Sequence, residues 1–308
     1  LISKSYRYHP AILDNGSMRD AELSCNQRWH HCSREALMPD ALKMMPILDD
    51  HAFQRLQTLL ISISGILLTA NKRKLVASRL GMRVRHFRCA SFSQYLDLLE
   101  DPAHFDEQRL VLDLLTTHET YFLREHTHFD FLGCWLQHQQ RPLRVWSGAC
   151  SSGEEAYSLA MVLGSHARHH DWSILASDLS YTLLAKARAA IYDMTQAKYL
   201  PEDWLQRYCQ SVFVDGNLCL RICDELRARV QFRQLNLSQP LDIDFEQFDV
   251  VFLRNVLTYF SQEEKPRIAR RIVDQMHPGA LLFIGHAENI YDLNLPVRLT
   301  HPSVYERL

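Results

Sequence analysis

Arg144-Val145-Trp146-Ser147-Gly148-Ala149-Cys150-Ser151-Ser152-Gly153-Glu154-Glu155-Ala156-Tyr157-Ser158 constrains this chain more than any other stretch. A short apolar run ends in a loop of small residues, Gly153 closes the loop, and a Glu pair opens a helical pattern. That order is the first strand, loop and helix of an α/β nucleotide-binding unit, in which small residues let backbone approach a ligand closely. A phosphate cradle calls for Lys or bare amides at such a helix start. Glu154 and Glu155 instead repel phosphate and favour a cationic ligand.

The second half continues the alternation. Leu143–Ser147, Ser173–Ser177, Val230–Leu237, Phe248–Asn255 and Ala280–His286 read as strands, and Val297–Leu308 as terminal strands. Glu155–His166, Tyr181–Ala190 and Glu263–Met276 read as helices. Repeated β-α units predict a mostly parallel sheet with helices on both faces. Val212–Ile222, around Asp215-Gly216-Asn217, carries a hairpin signal and predicts a small β insertion at about 205–229. Asp178 falls at the end of the second strand, where an acid either accepts hydrogen bonds from ribose hydroxyls or caps the following helix. Arg254 and Asn255 mark the carboxyl end of a buried-type strand, with Tyr259 about a turn further on. They either face a ligand crevice or serve as a cap and a core residue. S-adenosylmethionine, with an ammonium, a sulfonium and no phosphate, suits the acidic loop.

The first half is different. Phe53, Leu56, Leu59 and Leu60 recur at helical spacing, Gly65 ends that pattern, and Lys72–Arg79 and Ser91–Leu99 read as further helices. From His51 to Gln94 there are Arg55, Lys72, Arg73, Lys74, Arg79, Arg83, Arg85 and Arg88 and no acid. Such a face is either a solvated surface or a dock for an acidic partner. The whole chain, at a net charge of −2, has no global pull toward nucleic acid or membrane. Its longest apolar run, Leu59–Thr69, is shorter than the ~20 residues of a membrane span. The scattered cysteines lack a CxxC and predict free thiols in a cytoplasmic protein. The Cys25, His30, His31 and Cys32 group matches no usual zinc spacing, so no metal is expected. Leu1 is not a natural start and Gly16-Ser17-Met18 reads like a cloning remnant. Residues 1–17 are therefore set apart as a tag and a native start at Met18 is expected. Residues 18–50 form an extension, 51–115 a helical docking domain, 116–140 a linker contributing to the site, and 141–308 the α/β domain.

Four segments in register, Thr117–Glu125, Trp146–Ser158, Arg254–Phe260 and Gly285-His286-Ala287-Glu288-Asn289, resemble the chemotaxis-receptor glutamate methyltransferases, the CheR family. The resemblance runs from about Phe53 to the end. It implies a Rossmann-like methyltransferase sheet with a small β subdomain, preceded by an all-helical domain. It implies S-adenosylmethionine as cofactor and S-adenosylhomocysteine as product. By resemblance Glu154 holds the methionine ammonium and Asp178 the ribose. Asn236, Leu237, Asn255 and Val256 lie near the adenosine, Gly148 belongs to the loop, and His118, Thr120 and Arg124 reach in from the linker. Arg124 and Tyr259, close to the sulfur, are the catalytic pair. Whether Arg124 grips the substrate carboxylate or that of the methionine moiety stays open.

The implied substrate is a glutamate on a helical chemoreceptor segment, ionised at neutral pH, so no general base is required. A monomer docking through Arg79, Arg83, Arg85 and Arg88 is the expectation. The chain departs from the family pattern at His118, where Asn is usual, at Ser180 for an acid, and at Ala287 for Ser. Its β insertion holds Gly216 and an apolar Val212-Phe213-Val214 in place of a glycine-rich loop, which speaks against peptide tethering. The native length is compatible with a pilus or surface-motility member. A non-catalytic binding module of the same fold and a nucleic-acid methyltransferase are the alternatives. His118 favours the first, and the absence of a base-reading aromatic pocket disfavours the second.

Overall fold

Asp49 opens the first helix by accepting the Ala52 amide at 2.7 Å, and Gly65 closes it in the left-handed conformation. The computed structural model describes residues 46–116, 118–167, 171–241 and 247–308. The expected tag, the Cys25/His30/His31/Cys32 group, Thr117 and most of the 18–50 extension lie outside the described residues.

Helices α1 (Asp50–Ser64), α2 (Arg73–His86), α3 (Phe92–Glu100) and α4 (Phe105–Leu115) share one apolar core. Phe53, Leu56 and Leu60 meet Val76, Leu80 and Val84, and Tyr95, Leu96 and Leu99 complete it. The spacing is the i, i+3, i+4 stripe that a helix must bury. The basic run is neutralised from outside its own window. Arg55 reaches Asp97 and Glu100, and Arg73 pairs with Asp50. Arg83 makes a two-pronged bond to the buried carboxylate of Glu107 at 2.9 and 2.5 Å, which also accepts the Tyr95 hydroxyl. Arg79 donates to the carbonyls of Leu114 and Thr116. Arg79 and Arg83 are thus committed to holding α2 against α4, which corrects their expected place on a docking face.

The α/β part follows as α5 (Thr127–Leu136), β1 (Leu143–Gly148), α6 (Glu154–His166), β2 (Trp172–Asp178) and α7 (Tyr181–Ala189). An inserted portion holds β3 (Ile191–Asp193), α8 (Glu202–Tyr208), β4 (Cys209–Val214), β5 (Asn217–Ile222) and α9 (Asp224–Arg227). The chain ends with β6 (Val230–Gln234), β7 (Phe248–Leu253), α10 (Glu264–Asp274), β8 (Met276–Ile284), β9 (Val297–His301) and β10 (Val304–Arg307). Among the described residues the main sheet runs β6-β2-β1-β7-β8-β10-β9, parallel from β6 to β8 and antiparallel through β10 and β9. Side chains alternate across it. Val145, Val250, Phe252 and Phe283 pack with α5 and α6 on one face, while Trp146, Val251, Leu253 and Leu282 pack with α10 on the other.

Several boundaries differ from the sequence reading: the last main helix ends at Asp274 rather than Met276, the strand expected over Ala280–His286 runs Met276–Ile284, and three differences have a plain cause. The expected linker contains α5, packed on α6. The β insertion begins at Ile191 rather than about 205, because β3 is too short to show a two-residue period. The strand expected to reach Leu237 stops at Gln234, where the next amide turns to donate to Asp178 O.

Breaking the Arg83–Glu107 pair from one side leaves a guanidinium only 18 % exposed without its partner. Glu107→Ala should lower unfolding free energy by about 3 kcal/mol, read from urea denaturation, while Glu100→Ala at the exposed Arg55 pair should cost under about 1 kcal/mol.

Candidate active site

The order of strands reverses between β1 and β7, and ligands of open α/β sheets bind beyond the carboxyl ends of strands at such a point. A cavity lies there. The β1–α6 loop gives it Ala149, Cys150 and Ser151, the first turn of α6 gives Glu155, the end of β2 gives Asp178, and the chain after β6 gives Asn236 and Leu237. The turn after β7 gives Arg254, Asn255, Val256 and Tyr259, and the segment before α5 gives His118, Thr120 and Arg124. Ser64, Ile66, Leu112 and Asp113 of the helical domain complete the wall.

Four of the five amides from Ala149 to Gly153 are already spent. Those of Ala149 and Cys150 both donate to Ser177 O, that of Ser151 to Asp178 Oδ2 at 2.8 Å, and that of Gly153 to Cys150 O. Little backbone donor capacity remains for a phosphate, and the local charge is anionic. Gly153 is needed at φ 97°, since a Cβ there would meet Ala187 and Tyr192 within 3 Å. Asp178 takes the Ser180 amide on its other oxygen at 2.9 Å. Burial pushes its carboxyl above the usual range, against the pull of those two amides. Ser180, not Asp178, caps α7 by accepting the Leu183 amide, so the capping alternative for Asp178 falls away.

Glu154 and Glu155 diverge, as successive helical residues must, by about 100°. Glu155 faces the cavity. It accepts from Ser147 Oγ at 2.7 Å and from Arg254 Nη1 at 3.0 Å, and burial raises its pKa in spite of Arg254. Glu154 takes the Ser152 hydroxyl and does not line the cavity. Glu155, and not the Glu154 expected to hold an ammonium, is thus the acid of this pair that faces the cavity. Gly148 does not line the cavity either; it is packed beneath Leu253 and Phe252 within the sheet.

Arg254, which the sequence places only at a strand end, has partners that the sequence does not show. It is 5 % exposed, and it joins Glu155 to Glu125 (Nη2 to Oε2, 3.0 Å) and to the Arg124 carbonyl, between the rings of Phe129 and Phe252. Glu125 also accepts from Asn255 Nδ2 at 3.2 Å. Burial would raise the Glu125 carboxyl, but the Arg254 charge and hydrogen bonds outweigh it and hold it below the usual range. Leu123, Glu125, Ala149, Ser151 and Asn255 all take positive φ (52–74°). Strained non-glycine backbone of this kind gathers where surroundings over-determine it.

Glu288 is such a surrounding. It accepts from the amides of Asn255 (2.7 Å), Leu257 (2.7 Å) and Gly285 (2.8 Å) and fixes the turn after β7. A Cβ on Gly285 would come within 2.5 Å of Asn255 Nδ2 and 2.9 Å of its backbone nitrogen, so the Gly-His-Ala-Glu-Asn segment is a clamp for this turn. Asn255 is thus a cavity-lining turn residue, not a cap. Asn236 donates to Ile63 O at 3.0 Å, and Ser238 Oγ donates to Ser64 O, while Leu67 N donates to Tyr259 O. These bonds tie the helical domain to the cavity rim.

Arg124 lies half-buried at the cavity, with Nη1 on Glu119 O at 2.6 Å and no partner for its other nitrogens among the described residues. His118 Nε2 lies 2.7 Å from Asp113 O, which fixes that nitrogen as the donor and leaves Nδ1 as the acceptor in a neutral ring.

Residues 118–304 match the family model "CheR methyltransferase, SAM binding domain", and residues 51–116 match "CheR methyltransferase, all-alpha domain". The chain belongs to the CheR methyltransferase family. It is 36 % identical to the chemotaxis protein methyltransferase of Escherichia coli over 89 % of this chain and 96 % of that one. It is also 36 % identical to chemotaxis protein methyltransferase 2 of Pseudomonas aeruginosa, covering 82 % and 91 %. The cavity accordingly belongs to an S-adenosylmethionine-binding domain. Among the described residues no helix is long and apolar enough to cross a membrane.

Hydrogen bonds to charged groups are worth about 1.5–3 kcal/mol, about a ten- to hundredfold change in affinity. Glu155→Gln should weaken S-adenosylmethionine binding by about that factor in calorimetric titration, whereas Glu154→Gln should leave it within about twofold.

Proposed function

We propose that this CheR-family protein methylates glutamate side-chain carboxylates of chemoreceptors, producing methyl esters and S-adenosylhomocysteine in chemosensory adaptation. The acid-lined cavity carrying one unsaturated guanidinium at its rim, Arg124, is the observation that supports this most directly. In this reading Glu155 receives the ammonium, and Asp178 the ribose hydroxyls. Asn236, Leu237, Asn255 and Val256 border the adenosine, with His118 and Thr120 closing over from the linker. When bound, S-adenosylmethionine supplies a methyl group on a sulfonium. The protein's own work is to orient a carboxylate that is already ionised, using Arg124 as a planar clamp beside Tyr259, and to exclude water. No proton has to be removed from the nucleophile.

The helical domain is the receptor dock in this proposal, acting in the cytoplasm as part of a monomer. Lys74, Arg85 and Arg88 replace Arg79 and Arg83 as its cations. Lys74 and Arg88 are exposed and Arg85 is half-exposed, and none of the three has an acidic partner among the described residues. An acidic helical receptor segment is the complementary surface.

Incubation with methyl-labelled S-adenosylmethionine and chemoreceptor-bearing membranes should give label that mild alkali releases as methanol. Alkali-stable label would overturn the carboxylate assignment. The double variant Arg85→Glu/Arg88→Glu should slow receptor methylation at least about fivefold at low salt, where surface charge acts most strongly, with cofactor affinity unchanged. An unaltered rate under those conditions would remove these residues from the dock.

A further inference from the structure

Glu125 has a second set of neighbours beside Arg254 and Asn255. His128, in the first turn of α5, is 1 % exposed, yet neither of its ring nitrogens has a hydrogen-bond partner among the described residues. Its Nδ1 lies 3.6 Å from Glu125 Oε2, beyond hydrogen-bond range. The half-exposed ring of His286 stands edge-on to it, with centroids 4.6 Å apart, and His286 Nε2 is 4.0 Å from the same carboxylate oxygen. One donor atom from each of the three residues lies within 4.8 Å of the others. A buried polar group left unsatisfied carries the cost of its lost hydration and calls for an explanation.

We propose that Glu125, His128 and His286 form a binding site for a transition-metal dication of the Zn²⁺ class, built against the S-adenosylmethionine cavity and competing with Arg254 for Glu125. Two imidazoles and a carboxylate are the donor set such ions take, with water completing the shell. With metal–ligand bonds of about 2.0–2.1 Å, tetrahedral donors sit about 3.4 Å apart, so the three groups must close by about 1 Å. The exposed His286 ring supplies that movement. One guanidinium between two carboxylates leaves the neighbourhood formally anionic before the ion arrives.

Occupancy has a consequence for the cofactor. Glu125 Oε2 currently accepts from Arg254 Nη2 at 3.0 Å and from the His286 amide at 3.3 Å. A dication on that oxygen displaces Arg254 and repels its guanidinium, which also holds Glu155 and the Arg124 carbonyl. The metal therefore opposes cofactor binding, and the cofactor opposes the metal to the same degree.

The test is calorimetric titration of Zn²⁺ into the whole chelator-stripped chain, with Co²⁺ absorption as a report on ligand type. Wild type should bind one equivalent that His286→Ala and the polar His286→Gln lose or bind at least about tenfold more weakly, and that the distant control His51→Ala retains. Saturating Zn²⁺ should raise the S-adenosylmethionine Kd severalfold in wild type and in His51→Ala, but not in the His286 variants. Equal Zn²⁺ binding by all four proteins, or sulfur-to-metal charge-transfer bands in the Co²⁺ complex, would overturn the site. Zn²⁺ binding that depends on His286 but leaves the cofactor Kd unmoved would overturn the coupling.

Discussion

The buried guanidinium of Arg254 is the interaction on which the site's geometry depends. It lies at the end of the central strand β7 and binds a carboxylate from α6, a carboxylate from the segment before α5, and the carbonyl next to it. A cation removed from water is tolerated only when its hydrogen bonds are satisfied on several sides, and here that requirement draws three separate chain segments to one point. Arg124 is positioned as a result, since its own carbonyl is one of the acceptors. The left-handed backbone at Leu123, Glu125 and Asn255 is held by the same network, with Glu288 securing the Asn255 side.

The helical domain is part of the pocket as well as the surface proposed to meet the receptor. Ser64, Ile66, Leu112 and Asp113 line the cavity, and Asn236, Ser238 and Leu67 fasten that wall to the sheet. Gly65 has to be glycine at this junction, because its left-handed turn brings Ser238 into the space a Cβ would take. A domain that both lines the cavity and carries exposed Lys74 and Arg88 and half-exposed Arg85 would, under the proposed function, give receptor docking a short physical route to that cavity.

Much of this was legible locally. The β1–α6 loop, Asp178 at a strand end and the Asp215-Gly216 hairpin each announce themselves through neighbours in sequence, since strand ends, tight turns and helix starts are decided over a few residues. The phase of α6 was not legible. Glu154 and Glu155 are equivalent in composition, and only the packing of Gly153 against Ala187 and Tyr192 decides which one turns to the cavity. The basic run misled for a similar reason. Counting charges along the chain cannot see Asp97, Glu100 and Glu107, which arrive from later helices to neutralise Arg55 and Arg83.

The sequence by itself determined the class of the fold, the position of the cofactor loop, and a preference for a cationic ligand over a phosphate. These follow from hydrophobic period, loop composition and the sign of charge, all of which act over a single turn or strand. Only the tertiary structure decided that Arg254, Glu125 and Glu288 organise the site, that Arg79 and Arg83 are internal, and that His128 is buried without a hydrogen-bond partner among the described residues. Those outcomes depend on groups distant in sequence meeting where water is excluded, and the energy of a charge or a hydrogen bond is set there by its neighbours in space.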